Sequence, residues 1–222
     1  MKDFTIIIPT KNEETIVNWL IDDLEKQYGD FNILFVDNST DNTLNMINEK
    51  AKNYENIKAI HIDEKGVTNA VIKGVYECNT SAFCVADADF QHDFSKIQLI
   101  YEKLQDNDII IGNRNNYSKV FYRKLLSSLS NHIARFVLKI GINDAMSEFF
   151  GMKTDLFKQI YESKKKRFVK NGCKVLFDIL KSIKSSQPIK IYNFTYDFNE
   201  RKSGHSKASV MSFACLIKSF LS

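Results

Sequence analysis

Hydrophobic and polar positions follow two alternating patterns along the first half of the chain. Short apolar runs, such as FTIIIP at 4–9 and FNILFVD at 31–37, predict buried strands. Between them, TIVNWLIDDLEKQ at 15–27 carries apolar residues three and four positions apart, which is typical of a helix. The same reading predicts further strands at 57–62, 81–87 and 108–112 and further helices at 43–53, 67–78 and 95–105, the last with Ser95 as its N-cap.

This alternation predicts an α/β fold with a mostly parallel central sheet. Strands that are apolar along their whole length are buried on both faces, so we expect helices on both faces of the sheet. Ligands bind such sheets at the carboxyl ends of the strands. Three of those ends carry polar clusters, namely Pro9-Thr10, Asp37-Asn38 and Asp87-Ala88-Asp89. We expect the three clusters to meet at one edge.

The second half of the chain has a less regular pattern. It predicts an amphipathic helix at 118–140, one or two strands at 189–198 and a final amphipathic helix at 206–222. No Gly-, Pro- or Ser-rich linker divides the sequence, so one domain is expected over 1–222. No apolar run reaches the roughly 18 to 20 residues that a membrane span requires.

The charge distribution and the cysteine content indicate which ligands the chain attracts and in which cellular compartment it lies. The formal net charge of +4 is modest, but positions 114–143 hold six Lys or Arg and no Asp or Glu, and KKKR follows at 164–167. Basic segments of this kind attract phosphate groups on nucleotides or lipid headgroups. The four cysteines form no CxxC pair, which favours reduced thiols in a cytosolic protein over a zinc site.

The segment ADADFQHD at 86–93 is the strongest candidate for chemistry. It places Asp87 and Asp89 one residue apart at the end of a buried strand, where two carboxylates repel each other unless a cation lies between them. Oxygen ligands alone suit Mg²⁺ or Mn²⁺, which keep open positions for substrate phosphates. The sequence has no GxGxxG, no GxxxxGK[ST] and no GxSxG, which argues against a dinucleotide-binding turn, a P-loop and a serine nucleophile elbow.

Six segments in order carry a resemblance to a known family: IIIPTKNEE (6–14), FVDNSTDNT (35–43), ADADFQHD (86–93), IGNR (111–114), DAMSEFFGMK (144–153) and ERKSGHSK (200–207). Together they resemble family 2 inverting glycosyltransferases of the GT-A fold, most closely dolichol-phosphate mannose synthases and polyprenyl-phosphate glycosyltransferases. The resemblance implies metal-dependent transfer of a hexose from a nucleotide sugar to a polyprenyl or dolichyl phosphate. GDP-mannose is the favoured nucleotide sugar and UDP-glucose the second candidate. It also implies a nucleotide-sugar-binding half at 1–113 and an acceptor and membrane-facing half at 114–222.

The resemblance assigns roles to residues by their place in these segments. The nucleotide sugar would be bound by Pro9, Thr10, Glu13, Asp37, Asn38, Asp87, Arg114, Arg201 and Lys207. Mg²⁺ or Mn²⁺ would be ligated by Asp89 and Gln91, and the acceptor phosphate would be received by Arg123 and Ser127. The residues implied in catalysis are Asp87, Asp89 and Arg201. His92 is expected to have a structural role, because an anionic lipid phosphate requires little help from a general base.

Three residues depart from the family pattern. Lys11 replaces an aromatic residue and Asn38 replaces an acid, and these two changes bear on which nucleotide base is bound. Glu148 stands in place of a glycine, which bears on the pocket for the acceptor or the sugar. An alternative is a relative that glycosylates a saccharide or protein hydroxyl, with Asp93 or Glu148 as base. A nucleotidyltransferase and a non-catalytic nucleotide-sugar or membrane-binding module are further alternatives.

The implied setting is cytoplasmic. The basic helix around Arg123 would hold the protein peripherally against an anionic membrane surface, and no nucleic acid is expected as a partner.

Overall fold

Seven strands form one sheet in the part of the chain that the structure describes. This computed structural model describes residues 1–115, 144, 147–172, 174–183 and 188–200. The strands are β1 (Phe4–Thr10), β2 (Asn32–Asp37), β3 (Ile57–His61), β4 (Ala82–Val85), β5 (Ile109–Arg114), β6 (Phe150–Lys153) and β7 (Ile191–Tyr196). The α-helices are α1 (Val17–Tyr28), α2 (Thr43–Ala51), α3 (Val67–Glu77), α4 (Ile97–Lys103), α5 (Thr154–Lys164) and α6 (Val175–Ser182), and short 3₁₀ turns span Phe94–Lys96 and Lys165–Arg167.

The sheet is mostly parallel, as the apolar strands predict. Its order is β3-β2-β1-β4-β6-β5-β7, and only β6 runs against its two neighbours, β4 and β5. The carboxyl ends of the other six strands therefore share one edge. Because β6 is reversed, it begins at that same edge, where its first residue Phe150 pairs with Val85 at the end of β4.

Helices cover both faces, which confirms the predicted layering. On one face, residues of α3, α5 and α6 such as Val75, Phe157 and Leu176 pack on the sheet. On the other face, residues of α1, α2 and α4 such as Leu20 and Ile47 do the same. Successive residues of a strand point to opposite faces, so each inner strand contributes to both cores.

The predicted elements of the first half agree with the structure to within a few residues, with one correction. Ser95 is not the N-cap of α4, because the chain first makes a 3₁₀ turn from Phe94. Asp93 caps that turn: its Oδ1 accepts from the Ser95 backbone N–H at 3.1 Å and from Ser95 Oγ at 2.7 Å. A carboxylate satisfies both groups at once, so it takes the capping position.

In the second half the structure adds elements that the sequence pattern did not reveal. The strand β6 and the helices α5 and α6 follow one another along the chain after position 149. The strand predicted at 189–198 is confirmed as β7. The predicted helices at 118–140 and 206–222 lie outside the described residues. None of the described helices is long and apolar enough to cross a membrane.

Candidate active site

A network of hydrogen bonds fixes Asp37 at the end of β2. The carboxylate is fully buried, and its Oδ1 accepts from Thr10 Oγ1 at 3.0 Å and from Ser39 Oγ at 2.5 Å. The backbone N–H of Ser39 donates to Oδ2 at 3.0 Å, and His61 Nδ1 lies 3.4 Å from the same oxygen. A buried carboxylate with several donors is held in one orientation. The predicted neighbours Thr10 and Asp37 are thus brought into contact.

The loops after β1 and β2 are tied to each other. The Asn12 backbone N–H donates to Ser39 Oγ at 2.8 Å, with Asn12 itself in the left-handed region at φ 52°. The backbone N–H of Glu13 donates to Thr43 Oγ1 at 2.9 Å, and Glu13 is buried. Asn38 donates from its side chain to the Ile62 carbonyl at 2.7 Å, so its amide joins the loop to β3. These bonds place the residues from Pro9 to Glu13 beside Asp37.

The metal-binding candidates lie in a tight turn after β4. Asp89 is buried, and its Oδ1 accepts from the Gln91 backbone N–H at 3.0 Å. Between them Phe90 adopts φ 62°, an uncommon conformation for a bulky residue that often marks a functional turn. The segment after β7 holds this turn, since the Asn199 backbone N–H donates to the Gln91 carbonyl at 3.0 Å and Gln91 Nε2 donates to the Asn199 carbonyl at 3.3 Å.

His92 supports the position of Asp87. Its Nδ1 accepts from the Asp87 backbone N–H at 3.0 Å, and its ring stacks on Phe149 with 4.8 Å between centroids. Burial lowers the pKa of His92 to about 3, against the opposing effect of Asp89, so the imidazole is neutral at pH 7. The proton therefore resides on Nε2, which lies 3.5 Å from Asp87 Oδ2. These contacts agree with the structural role expected for this histidine.

Glu148 lies at the same edge as Asp87. The antiparallel register of β4 and β6 pairs Val85 with Phe150, so the residues after β4 and before β6 emerge at the same edge, and Asp87 lies within electrostatic reach of Glu148. Glu148 is 7% exposed. Burial raises the pKa of its carboxyl to about 8, with Asp87 and Asp178 acting in the same direction and Lys174 opposing them. The carboxyl is therefore mostly protonated at pH 7.

Neither carboxyl oxygen of Glu148 has a hydrogen-bond partner among the described residues. The backbone N–H of Val175, at the start of α6, faces the carboxyl without reaching hydrogen-bond geometry. The sequence singled out this position only as a departure from the family pattern. The burial and the missing partners are what the structure adds.

Arg114 forms a paired contact that the sequence did not reveal. Its Nε donates to Asp144 Oδ2 at 2.7 Å and its Nη2 donates to Asp144 Oδ1 at 2.9 Å. The Asp144 side chain is 1% exposed and that of Arg114 is 16% exposed. Burial alone would raise the pKa of Asp144, but Arg114 outweighs it and the pKa is lowered. The ion pair orients the guanidinium at the end of β5. Binding of the nucleotide sugar by Arg114 stays a prediction.

Lys174 belongs to this edge as well, and sequence reasoning missed it. Its charge acts on Glu148, Asp144 and His92, so it lies within electrostatic reach of all three. The preceding segment is fixed to α3, where the Thr68 backbone N–H donates to the Gly172 carbonyl at 3.2 Å. The remaining predicted site residues lie outside the described residues: Arg123, Ser127, Arg201 and Lys207.

The donor atoms of Asp89 and Gln91 fit a Mg²⁺ or Mn²⁺ ion. In the part of the chain that the structure describes, no group of three or more His, Cys, Asp or Glu could enclose a metal. One carboxylate and one amide oxygen are a small set of hard ligands, which suits an ion that takes its other ligands from phosphates and water. A closed structural zinc site, by contrast, needs four protein ligands.

Comparison with known proteins places these observations in a family. The family model described as Glycosyl transferase family 2 matches residues 5–161. A dolichol-phosphate mannosyltransferase of Pyrococcus furiosus is 33% identical over 217 residues, which are 91% of this chain and 58% of that protein. A dolichol-phosphate mannosyltransferase of Saccharomyces cerevisiae is 29% identical over 188 residues, 80% of this chain and 68% of that protein. The chain thus spans 58% of the length of the first of these relatives.

Solved structures show the same fold at low sequence identity. Glucosyl-3-phosphoglycerate synthase from Mycobacterium tuberculosis, solved with Mn²⁺, UDP and phosphoglyceric acid, has a TM-score of 0.64 at 14% identity, covering 98% of this chain and 78% of that one. Mannosyl-3-phosphoglycerate synthase from Rubrobacter xylanophilus has a TM-score of 0.64 at 13% identity, covering 98% and 72%. At these identities the likeness concerns the fold alone.

Proposed function

Because this chain belongs to glycosyl transferase family 2, we propose that it transfers a hexose from a nucleotide sugar to a polyprenyl or dolichyl phosphate. The observation that carries the proposal is the meeting of Asp37, Asp87 and Asp89 at one edge of the sheet, in a chain that is 33% identical to a dolichol-phosphate mannosyltransferase. GDP-mannose is the favoured donor and UDP-glucose the second candidate.

The nucleoside would bind where the loops after β1 and β2 are joined. Pro9, Thr10 and Glu13 line one side of this place, and Asp37 with Asn38 lines the other. Since Asp37 is already oriented by Thr10 and Ser39, the site needs little rearrangement to receive a ribose hydroxyl. Preorganised polar groups of this kind bind a ligand without a large ordering cost.

The diphosphate would lie beside Asp89 and Gln91, which would hold Mg²⁺ or Mn²⁺. When bound, such an ion stabilises the negative charge that develops on the leaving nucleoside diphosphate. Asp87 lies next to the hexose in this arrangement, with its backbone held by His92. Arg201 and Lys207 would close over the donor, and Arg114 would contribute its charge from the end of β5.

The acceptor would be the phosphate of the lipid, received by Arg123 and Ser127. A phosphate oxygen attacks the anomeric carbon, the bond to the nucleoside diphosphate breaks, and the configuration inverts. The phosphate is an anion at pH 7, so no protein base has to remove a proton from it. The basic stretch at 114–143 would hold the enzyme at the cytoplasmic face of an anionic membrane.

A hydroxyl acceptor is less well supported, because it requires a carboxylate base. Asp93 already caps the 3₁₀ turn through Ser95. Burial raises the pKa of Glu148 to about 8, so only a minor fraction of this carboxyl is ionised and able to take up a proton at pH 7. Both carboxylates named for that alternative are thus occupied or neutral.

The test is turnover of GDP-mannose and UDP-glucose with a short polyprenyl phosphate and Mn²⁺. We expect a lipid-linked hexose from one donor, and loss of product in Asp89→Ala but not in Asp106→Ala, which removes an exposed carboxylate. Donor binding without transfer to any lipid phosphate would overturn the acceptor assignment. Equal product from the Asp89→Ala variant would remove the metal role.

A further inference from the structure

Glu148 is a buried acid without a hydrogen-bond partner in the described part of the chain. Both carboxyl oxygens are buried and have no hydrogen-bond partner there, and the residue as a whole is only 7% exposed. A buried polar group that lacks a partner destabilises the fold. Such a group in a folded protein needs an explanation, and one explanation is that it binds a ligand.

The position of Glu148 specifies what that ligand touches. It directly precedes Phe149 and β6, at the edge where β2 ends with Asp37 and where Asp87 follows β4. The pairing of Val85 with Phe150 brings the residues after β4 and before β6 to the same edge, and both Asp87 and Lys174 act electrostatically on Glu148. The carboxyl therefore lies beside the residue expected to face the hexose, and the nucleoside network at Asp37 belongs to another part of the edge.

We propose that Glu148 is a specificity-determining residue, which hydrogen-bonds a hydroxyl group of the transferred hexose. This inference rests on the proposed function, since it assumes a nucleotide sugar with its hexose beside Asp87. A protonated carboxyl offers both a donor and an acceptor, which matches a hydroxyl group that needs both.

Glu148 stands where the family pattern has glycine, so this chain adds a polar side chain that the pattern lacks. A site built to hydrogen-bond a substrate hydroxyl discriminates strongly against analogues that lack it, because its own polar group is then left unpaired. The choice between epimeric hexoses is thus expected to depend on this residue.

The experiment compares binding of each nucleotide sugar with binding of its nucleoside diphosphate, by calorimetry with Mn²⁺. GDP-mannose and GDP form one pair, and UDP-glucose and UDP form the other. Wild type is measured beside Glu148→Ala, Glu148→Gln and the control Glu55→Gln, which alters an exposed glutamate. In Glu148→Ala we expect about tenfold weaker binding of the preferred nucleotide sugar and less than about twofold change for the nucleoside diphosphate. Glu148→Gln keeps a donor and an acceptor, so we expect it to retain most of the affinity.

Three results would overturn the proposal: equal losses for both ligands of a pair, unchanged binding of the sugar, or equal losses in the Ala and Gln variants. Thermal unfolding of each variant confirms that it is folded, and Glu148→Gln, close in shape to wild type, keeps the test open if Glu148→Ala fails to fold. Failure of the proposed function gives a different result. If wild type binds the sugar but transfers it to no lipid phosphate, the acceptor is wrong, while the hexose-dependent loss in Glu148→Ala still supports Glu148. If wild type binds no nucleotide sugar, both proposals fall.

Discussion

Replacing Glu148 by Gln should remove a pH dependence from the stability of the fold. In the folded protein the pKa of this carboxyl is raised to about 8, from an ordinary value of 4.5. Burial is the main cause, and the facing charges divide: Asp87 and Asp178 raise the pKa while Lys174 lowers it. Between the two pKa values the folded state holds a proton that the unfolded chain has released. The stability contributed by this group is therefore lost as the pH rises from about 4.5 to about 8.

The size of the effect follows from the same two values. Within that interval each pH unit changes the free energy of unfolding by about 1.4 kcal/mol. Between pH 5 and pH 7, where the folded carboxyl stays mostly protonated, wild type should lose about 2 kcal/mol through this group. A glutamine carries no proton to exchange, so Glu148→Gln should lack this slope.

Urea unfolding followed by circular dichroism at pH 5, 6 and 7 measures the slope directly. Glu55→Gln, the exposed control, should keep the wild-type slope. The difference between the slopes of wild type and Glu148→Gln is the quantity to compare, because other groups titrate alike in both. If the two proteins lose stability in parallel over this range, the carboxyl is ionised in the fold and the argument from its burial is refuted.

Three further changes probe the surroundings of the site. Arg114→Met removes the guanidinium that pairs with the buried Asp144 carboxylate and should cost about 3 to 5 kcal/mol in urea unfolding, with much of the loss recovered when Asp144→Leu is added; additive losses would contradict this. His92→Phe preserves an aromatic ring but removes the acceptor for the Asp87 backbone N–H, so both stability, by about 1 to 3 kcal/mol, and transfer activity should fall, and unchanged activity would show that His92 does not position Asp87. Gly66→Ala places a Cβ 2.7 Å from backbone atoms of the loop before α6 at φ 106°, and should lower the melting temperature by several degrees in calorimetry; an unchanged value would mean that this loop yields.

The parallel part of the sheet could be predicted because its inner strands are buried on both faces and so have few polar positions. The reversed strand β6 has only four residues, which is too short for a periodic signal, and nothing in its composition fixes its direction. The helix α5 had a detectable signal, since its buried residues Phe157, Ile160 and Tyr161 recur at helical spacing.

The acidic residues of the site were predictable for a local reason: Asp37 ends β2, and Asp87 and Asp89 lie in the short turn after β4. Partners that come from distant segments were not. The contact of Arg114 with Asp144 joins positions 30 residues apart, and the closeness of Glu148 to Asp87 depends on the alignment of β4 with β6. A sequence gives the residue types at such places, but burial and pairing follow from how the strands align.

The surroundings of Asp37 and those of Glu148, at two parts of the same edge, differ in how many of their polar groups have hydrogen-bond partners. We therefore expect the two parts to bind different portions of the nucleotide sugar. Asp37 already has hydrogen bonds within the protein, so its own contribution to binding should be the same whatever sugar the nucleotide carries. Glu148 lacks such bonds among the described residues, so its pairing depends on what enters beside it. Loss of a preformed group weakens binding of every nucleotide, while loss of an unpaired one matters only for ligands that would have paired with it. We therefore expect selection among donors to be decided at Glu148 more than at Asp37.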